Sequence, residues 1–413
     1  MMATFYHRGQ MTQQELFAAA LGLELPWKVE KILFSAAEKR LDIHIDFERG
    51  GLLPCPTCGT LCKAYDTTED SWRHLNFFQH SAFLHARVPR VDCDKCHAIR
   101  KAAVPWARPG SGFTLLFDAL VMALCQEMPV LAVADLVGEH DTKIWRVLHH
   151  YVKGAVAARD LSDVKTVGVD ETVSRRGHRY VTFFFDLEGK RMMFGTSGKD
   201  ASTVEKFSKD LQSHKGTPAQ IKRVACDMSA AFIKGVNDHL PDAEITFDRF
   251  HLTKIVNDAV DQVRREEVFT CEALKKTRFL WLTNPSGLSR AQRARIFNLS
   301  WQNLKTARAY QIRLAFQEFF SKPTAEKGEA FLKQWYFWAT HSRLPPIIRA
   351  AKTIKDHWDG VLTWFSTRIT TGLEGFNSLI QAAKARARGY RSDKNLIAMA
   401  YLIAGKLPLG LPT

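Results

Sequence analysis

Apolar and polar positions change period several times along the 413-residue chain, and each change predicts an element. Residues 12–22, TQQELFAAALG, space their apolar side chains as a helix does. WKVEKILFSAAEKRLDIHIDFERGG (27–51) alternates on both sides of a polar turn, the pattern of a β-hairpin. It runs into CPTCG, and a further strand-like segment, SAFLHARVPRV, leads into CDKC. Between 113 and 152 the period is helical: FTLLFDALVMALCQE, the short VLAVADLVG, the turn EHD, and TKIWRVLHHYV. An α/β stretch follows. TVGVDET, YVTFFFDLEG and RMMFGTS predict three consecutive strands, STVEKFSKDLQS a helix and IKRVACD a fourth strand. SAAFIKGVNDHL predicts a helix and ITFDRF a fifth strand, before a helix from about His251. Residues 268–366 are helical in pattern and hold six of the ten tryptophans, and a last helix contains Glu374.

Charge changes the picture first. The chain carries 58 Lys and Arg against 43 Asp and Glu, a net +15 and a pI near 9.5. A field this positive favours a polyanionic partner, nucleic acid or an anionic membrane. The most apolar run, residues 113–138, is interrupted by Asp118, Glu127, Pro129 and Asp135, which a membrane-spanning helix does not tolerate. MMATFYHRGQ lacks the apolar centre of a signal peptide. The expectation is a cytoplasmic protein with reduced thiols and no membrane partner.

Eight cysteines then read as metal ligands or buried thiols. Cys55-Pro-Thr-Cys58 and Cys93-Asp-Lys-Cys96 are two C-x2-C knuckles, each presenting two thiolates to one tetrahedral Zn²⁺. Four thiolates close the coordination shell, so the expected role is structural. A β-hairpin fills the gap between the knuckles, and Cys62, His74 and His97 are spare potential ligands. The helical pair at 130–152 has the form of a helix-turn-helix, with small Ala at packing positions and Gly138 near the turn. Its second helix carries Lys143, Arg146, His149 and His150 for a major groove, although any helical hairpin has this pattern.

Two acids close strands: Asp170 ends TVGVD and Asp227 ends IKRVACD. An Asp after a strand also serves as a helix cap, and Ser229 competes for that role after Asp227. The order of elements shifts the balance between these readings. Three strands, a helix, a fourth strand, a helix and a fifth strand is the order of an RNase H-like sheet. There the first strand lies between the second and the fourth, so Asp170 and Asp227 would end neighbouring strands. Two carboxylates so placed repel unless a divalent cation lies between them, and Mg²⁺ or Mn²⁺ suits oxygen ligands. A third acid is expected from a helix on the sheet, and Glu374 fits. On that helix Leu373, Phe376, Ile380 and Ala383 make an apolar stripe. Glu374, Asn377, Ser378, Gln381 and Ala385 lie on another face, with Arg388 near the same line. Glu171, beside Asp170, points to the opposite face of a continuing strand.

CPTCG, CDKC, VGVDET, VACDMSAAF, FDRFH and GLEGFNSLIQAAKARARGYR together resemble a DDE transposase of bacterial insertion sequences, of the ISL3-like family. The resemblance runs over nearly the whole length. It implies a multidomain α+β and α/β protein: an N-terminal β-hairpin and zinc ribbon (1–112), a helix-turn-helix (113–155), and an RNase H-like catalytic core (160–266 and 367–413) interrupted by an all-α insertion (267–366). It makes Asp170, Asp227 and Glu374 the catalytic, Mg²⁺-holding triad, supported by Asp248 and His251 of an Asp-x-x-His element. The chain departs from the family at Thr371-Gly372 and Ser378-Leu379, neither of which removes a carboxylate. Residues 252–365 hold 19 Lys or Arg against 10 Asp or Glu, so basic helices interleaved with Trp would face DNA, while most of the tryptophans serve the core. Lys384, Arg386, Arg388 and Arg391 would hold DNA beside the metals. The implied partners are double-stranded DNA, both terminal inverted repeats and target, and a second copy of the chain, in a nucleoid-associated bacterial setting. The alternatives are a transposase-derived DNA-binding regulator and an RNase H-like structure-selective nuclease.

Overall fold

In the computed structural model, which describes residues 11–175, 178–367 and 372–411, the alternating N-terminal segment is the hairpin its pattern predicts. α1 (Gln13–Ala20), opened by a Thr12–Glu15 capping box, precedes β1 (Trp27–Ser35) and β2 (Arg40–Phe47), paired antiparallel. Short β3 (Leu53–Pro54) and β4 (Leu61–Cys62) flank the first knuckle. The gap between knuckles is a long hairpin of β5 (Ala64–Phe77) and β6 (His80–Cys93), and β7 (Ala98–Lys101) follows the second knuckle. β1, β2, β5, β6 and β7 form one sheet in the order β1-β2-β6-β5, with β7 on β6, and β3 pairs with β4 in a separate ribbon. The β5–β6 pair is the hairpin expected to fill the gap, although its first strand carries no alternating pattern of its own. β5 is an end strand of that order, and AYDTTEDSWRHLNF keeps polar side chains on both faces, which hides any alternation.

Three helices complete this part: α2 (Leu115–Glu127), α3 (Val130–Val137) and α4 (Asp141–Ala157). Gly138 ends α3 in the left-handed region at φ 71°, the conformation that favours glycine. The chain divides into two compact units, Met1–Tyr151 with Leu409–Thr413, and Val152–Pro408.

The second unit is a five-stranded mixed sheet in the order β10-β9-β8-β11-β12. β8 (Thr166–Arg175), β9 (Arg179–Asp186) and β10 (Arg191–Ser197) run antiparallel in succession. β11 (Arg223–Cys226) and β12 (Glu244–Phe247) join parallel to β8 through the crossover helices α5 (Ser202–Ser213) and α6 (Ala230–His239). Val181 to Asp186 of β9 are all buried, as a continuous apolar strand requires when both faces are covered. Phe184 stacks on Phe207 of α5 at 4.4 Å, while its neighbour Phe185 stacks on Phe376 at 4.6 Å.

From β12 the chain enters α7 (Arg249–Glu267), α8 (Arg278–Leu282), α9 (Arg290–Ser300), α10 (Lys305–Phe319), α11 (Ala325–Thr340) and α12 (Pro345–Asp356). The short α13 (Trp358–Leu362) and α14 (Trp364–Thr367) precede α15 (Gly372–Arg386) and α16 (Asp393–Ala404). One apolar cluster runs from Val167, Phe184 and Val224 of the sheet into Trp281, Phe316 and Trp335 of the helices, so the helical segment shares the sheet's core. α16, expected only as a tail, is a helix against β10: Tyr401 Oη donates to the Met193 carbonyl at 3.0 Å, and Ser197 Oγ to Asp393 at 2.7 Å.

Candidate functional site

Parallel register places the two strand-end acids. β11 pairs with β8 as Val224 with Val167 and Ala225 with Gly168, so two residues further Asp227 stands level with Asp170. β12 pairs Phe247 with Cys226, which puts Asp248 level with Asp227 in turn. The Asp248 amide donates to the Cys226 carbonyl at 3.1 Å, tying the two strand ends together. Neighbouring strands lie about 4.8 Å apart, so one sheet edge carries three carboxylates in a row.

Their surroundings differ. Burial pushes the Asp170 carboxyl up to about 6; the Glu171 amide, donating to it at 2.7 Å, and His251 oppose the rise, and Asp248 and Asp227 add to it. Asp227 accepts from the Ser229 amide at 3.0 Å, so it makes the cap-like bond while Ser229 caps α6 without a side-chain bond. Asp248 is the N-cap of α7 and accepts from Phe250 N at 2.9 Å. His251 Nδ1 stands 3.7 Å from Asp248, too far for a hydrogen bond, and is a buried nitrogen with no partner among the described residues. Glu171 is half-buried; burial and the nearby Asp227 raise its carboxyl.

Glu374 lies in the first turn of α15, and its side chain falls outside the described residues. α15 itself is held against β8 and β9. Phe376 stacks on Phe185, Ile380 is fully buried, and Gln381 Nε2 donates to Thr172 Oγ1. Sequence reasoning placed Gln381 on the Glu374 face without a role; the signal was there in Thr172, two residues past Asp170 on the same strand face. Lys384 donates to the Val173 carbonyl, so it too anchors α15 to β8. Arg388 does not continue the helical line. α15 ends at Arg386, because Arg388 and Gly389 turn left-handed at φ 53° and 93° and the Gly389 amide donates to the Lys384 carbonyl. Arg386, Arg388 and Arg391 are exposed at this end.

The cysteines of the two knuckles converge. Cys58 Sγ lies 3.5 Å from Cys93 Sγ and Cys55 Sγ 3.9 Å from Cys96 Sγ, all four within 4.8 Å of one another. Four sulfurs bound about 2.3 Å from one Zn²⁺ stand roughly 3.8 Å apart, so the set fits a tetrahedral ion. Among the described residues no other group of three or more ligand-type side chains gathers this closely. Bonds from the Thr60 hydroxyl and amide lower the Cys58 thiol to about 6, favouring the thiolate a metal needs. The spare ligands stand aside. Cys62 donates to the Thr60 carbonyl and burial pushes its thiol up to about 11; His74 pairs with Thr114 Oγ1 at 2.9 Å; His97 is exposed in the knuckle turn.

On α4, Lys143 pairs with Glu139 at 2.7 Å, Arg146 is exposed, and His149 stacks on Trp145 at 5.6 Å. The opposite side buries Ile144, Val147 and Leu148. No helix of the described residues is long and apolar enough to cross a membrane.

Comparison with known proteins matches three parts of the chain. Residues 53–96 match the zinc-finger of transposase IS204/IS1001/IS1096/IS1165, which with the cysteine geometry supports a structural Zn²⁺. Residues 102–152 match the helix-turn-helix domain of transposase family ISL3, a DNA-binding module. Residues 167–400 match the ISL3-type DDE family, described as a transposase. The transposase for insertion sequence element IS1557 of Mycobacterium tuberculosis is 28% identical over 444 residues, covering 96% of this chain and 97% of its own length. The transposase for insertion sequence element IS1001 of Bordetella parapertussis is 28% identical over 357 residues, covering 82% and 86%. With more than half of its residues inside one family match and both flanking modules in place, the chain belongs to the ISL3 family of DDE transposases.

Proposed function

We propose that this transposase cuts DNA at the ends of an insertion sequence and joins the freed 3′-hydroxyl to target DNA, using Asp170, Asp227 and Glu374. The observation that carries the reading is the level placement of Asp170 and Asp227 on adjacent parallel strands. The sheet order supports an RNase H-like core, with α7 to α14 as the insertion and α15 returning the third acid. An all-oxygen donor set suits Mg²⁺ or Mn²⁺, which keeps its waters while held by one or two carboxylates. When bound there, the ion supplies Lewis-acid activation and neutralises phosphate charge.

The chain's own groups supply position and protonation. Asp227 is fixed by the Ser229 amide, and Asp170 by the Glu171 amide, so neither carboxylate swings freely. His251, whose enclosed Nδ1 has no partner among the described residues, would contact a phosphate oxygen once its ring turns. The ribbon and the helix-turn-helix would read the terminal inverted repeats, with Lys143, Arg146 and His149 toward the groove. The basic end of α15 would hold the flanking backbone through Arg386, Arg388 and Arg391. Pairing two element ends asks for at least two copies of the chain, acting in the cytoplasm on nucleoid DNA.

Asp227→Asn tests the assignment: with Mg²⁺ and an end-bearing duplex, the variant binds as the wild type does and does not cut. Undiminished cutting by the variant would refute the site. A wild type that binds ends but never cuts them would make the protein a regulator.

A further inference from the structure

α9 is a helix whose exposed side is stranger than its buried one. Only Ile296 and Leu299 are buried. Arg290, Arg293, Phe297 and Trp301 follow at intervals of three and four residues, which places them in one row along the helix and its C-cap. All four are exposed, Phe297 to 61% and Trp301 to 77%, and the two rings meet edge to face with centroids 5.7 Å apart. Three other tryptophans of the same unit, Trp281, Trp335 and Trp364, are buried in the shared core, and although Phe269, Phe279 and Phe337 are exposed as well, Phe297 and Trp301 are the exposed rings in line with two arginines on α9. These two rings are held in water.

Charge marks the same surface. From residue 273 to residue 317 the chain has no Asp or Glu and nine Lys or Arg. Among the described residues Arg290, Arg293 and Arg295 form no ion pair. The helix is started by neutral groups: Ser289 Oγ accepts from the Gln292 amide at 3.2 Å, and Gln292 Oε1 from the Ser289 amide at 2.8 Å. Arginines at the first and fourth helical positions oppose the helix dipole, which favours acids there. A purely structural helix gains nothing from that placement.

We infer that the outward face of α9 binds single-stranded nucleic acid, with Phe297 and Trp301 stacking on unpaired bases and Arg290 and Arg293 holding the adjoining phosphates. The row spans about 16 Å at the helical rise of ~1.5 Å per residue, enough for a few nucleotides. Every base offers a π-face, so such a platform needs no sequence match. A protein groove would select an apolar seam running the length of the helix, and a membrane a broad apolar face. The row on α9 is apolar only at Phe297 and Trp301 and begins with two arginines, and the exposed side chains beside it include Gln292, Arg295 and Asn298. The inference rests on the transposase reading only for the source of the strand, an end unpaired during cleavage.

The test uses the full-length protein and a short labelled oligonucleotide of mixed sequence, single-stranded or as a duplex, followed by fluorescence anisotropy at several salt concentrations. The double variant Phe297→Ala/Trp301→Ala is expected to lose at least about tenfold in single-strand affinity while duplex affinity stays within about twofold. Trp301→Phe keeps a ring and most of the affinity. Arg293→Ala weakens both and lowers the salt slope by about one. Single-strand affinity unchanged in the double variant overturns the inference, as does an equal loss for duplex. A change of sedimentation with unchanged single-strand binding also overturns it, and makes the face a contact between copies. Asp227→Asn separates the two readings: a variant that still cuts sinks the catalytic assignment and leaves the platform standing, whereas normal single-strand binding by Phe297→Ala/Trp301→Ala sinks the platform alone.

Discussion

Gln381→Ala removes one of the side-chain bonds between α15 and the strand that carries Asp170, the donation from Gln381 Nε2 to the buried Thr172 hydroxyl, and leaves that of Lys384 to the Val173 carbonyl. A single such bond contributes about 0.5–1.5 kcal/mol. In a unit the size of Val152–Pro408 that corresponds to a fall in Tm of roughly 1–6 °C. With Glu374 in the role proposed for it, the effect on chemistry is larger than the effect on stability. Gln381 lies seven residues from Glu374, about 10 Å along the axis, so a tilt of about 5° moves the helix end by roughly 1 Å. A misplacement of about that size costs on the order of 10²-fold in rate. Single-turnover cutting of an end-bearing duplex should therefore fall about 10- to 100-fold, with duplex affinity unchanged. Thr172→Ser keeps the hydroxyl and most of the rate; Thr172→Val loses it, and the double variant Gln381→Ala/Thr172→Val is no worse than either single one. Cutting within about twofold of wild type, or fully additive losses, would refute the role given to this bond.

Chelation of zinc, or Cys93→Ser, should free the knuckles while the long β5–β6 hairpin persists, since β3 and β4 hold only two residue pairs. Hydrogen exchange reads this as lost protection over residues 53–62 and 93–98; protection retained after chelation would count against the metal site. His74 gives the fold an acid limit. Burial, then Arg73, lowers its ring to about 4 from 6.5, so the folded state binds fewer protons than the unfolded one. Its contribution is fully present above pH 6.5 and is lost as pH falls toward 4, by up to about 3 kcal/mol before screening. Urea melts at pH 7.5 and 5 should show a smaller acid loss for His74→Gln than for wild type; equal losses would clear His74 of the effect. Gly235→Ala should cost about 1–3 kcal/mol, because a Cβ there would meet Val204 at 2.8 Å and the Ala201 carbonyl at 3.0 Å where α5 and α6 touch. An unchanged Tm would show that the two helices separate easily.

What the sequence made legible follows from how each element is buried. β8 and β9 sit between covered faces, so TVGVD and YVTFFFD read as apolar runs with their ends marked by acid. The level placement of Asp170 with Asp227 was inferable only through the order of strands, because register is a long-range property that no local pattern carries. β5 was legible only as the missing half of a hairpin, because polar side chains occupy both of its faces for most of its length. α15 was legible as a helix with an apolar stripe, and its last turn was not, since a left-handed Arg388 has no sequence mark beyond the neighbouring Gly389. The tryptophans of the helical segment show the limit of composition. Trp281 donates to Thr277 Oγ1 and Trp335 to the Ile312 carbonyl inside the core, whereas Trp301 is held outside, and the same residue type served both uses.

The separation of Glu374 from the other acids also has a physical account. The helical segment leaves the sheet at the end of β12 and comes back beside it: Thr246 Oγ1 donates to Thr367 Oγ1 at 3.1 Å, 121 residues later. Closing a loop costs chain entropy that grows only with the logarithm of its length, so a loop of this size costs roughly 2 kcal/mol more than one a tenth as long. The segment offsets that cost with its own burial, since Trp281, Tyr310, Phe316 and Phe319 are packed among one another and against α7. Its core is continuous with the sheet's, so the return of the chain is set by packing and not by the loop. A carboxylate supplied by α15 can then be placed as accurately as one on the sheet itself, provided the contacts of Phe376 and Gln381 with β9 and β8 hold the helix. The outer surface of the same segment is thereby left free to carry cations and exposed rings, because the packing that returns the chain to the sheet does not draw on it.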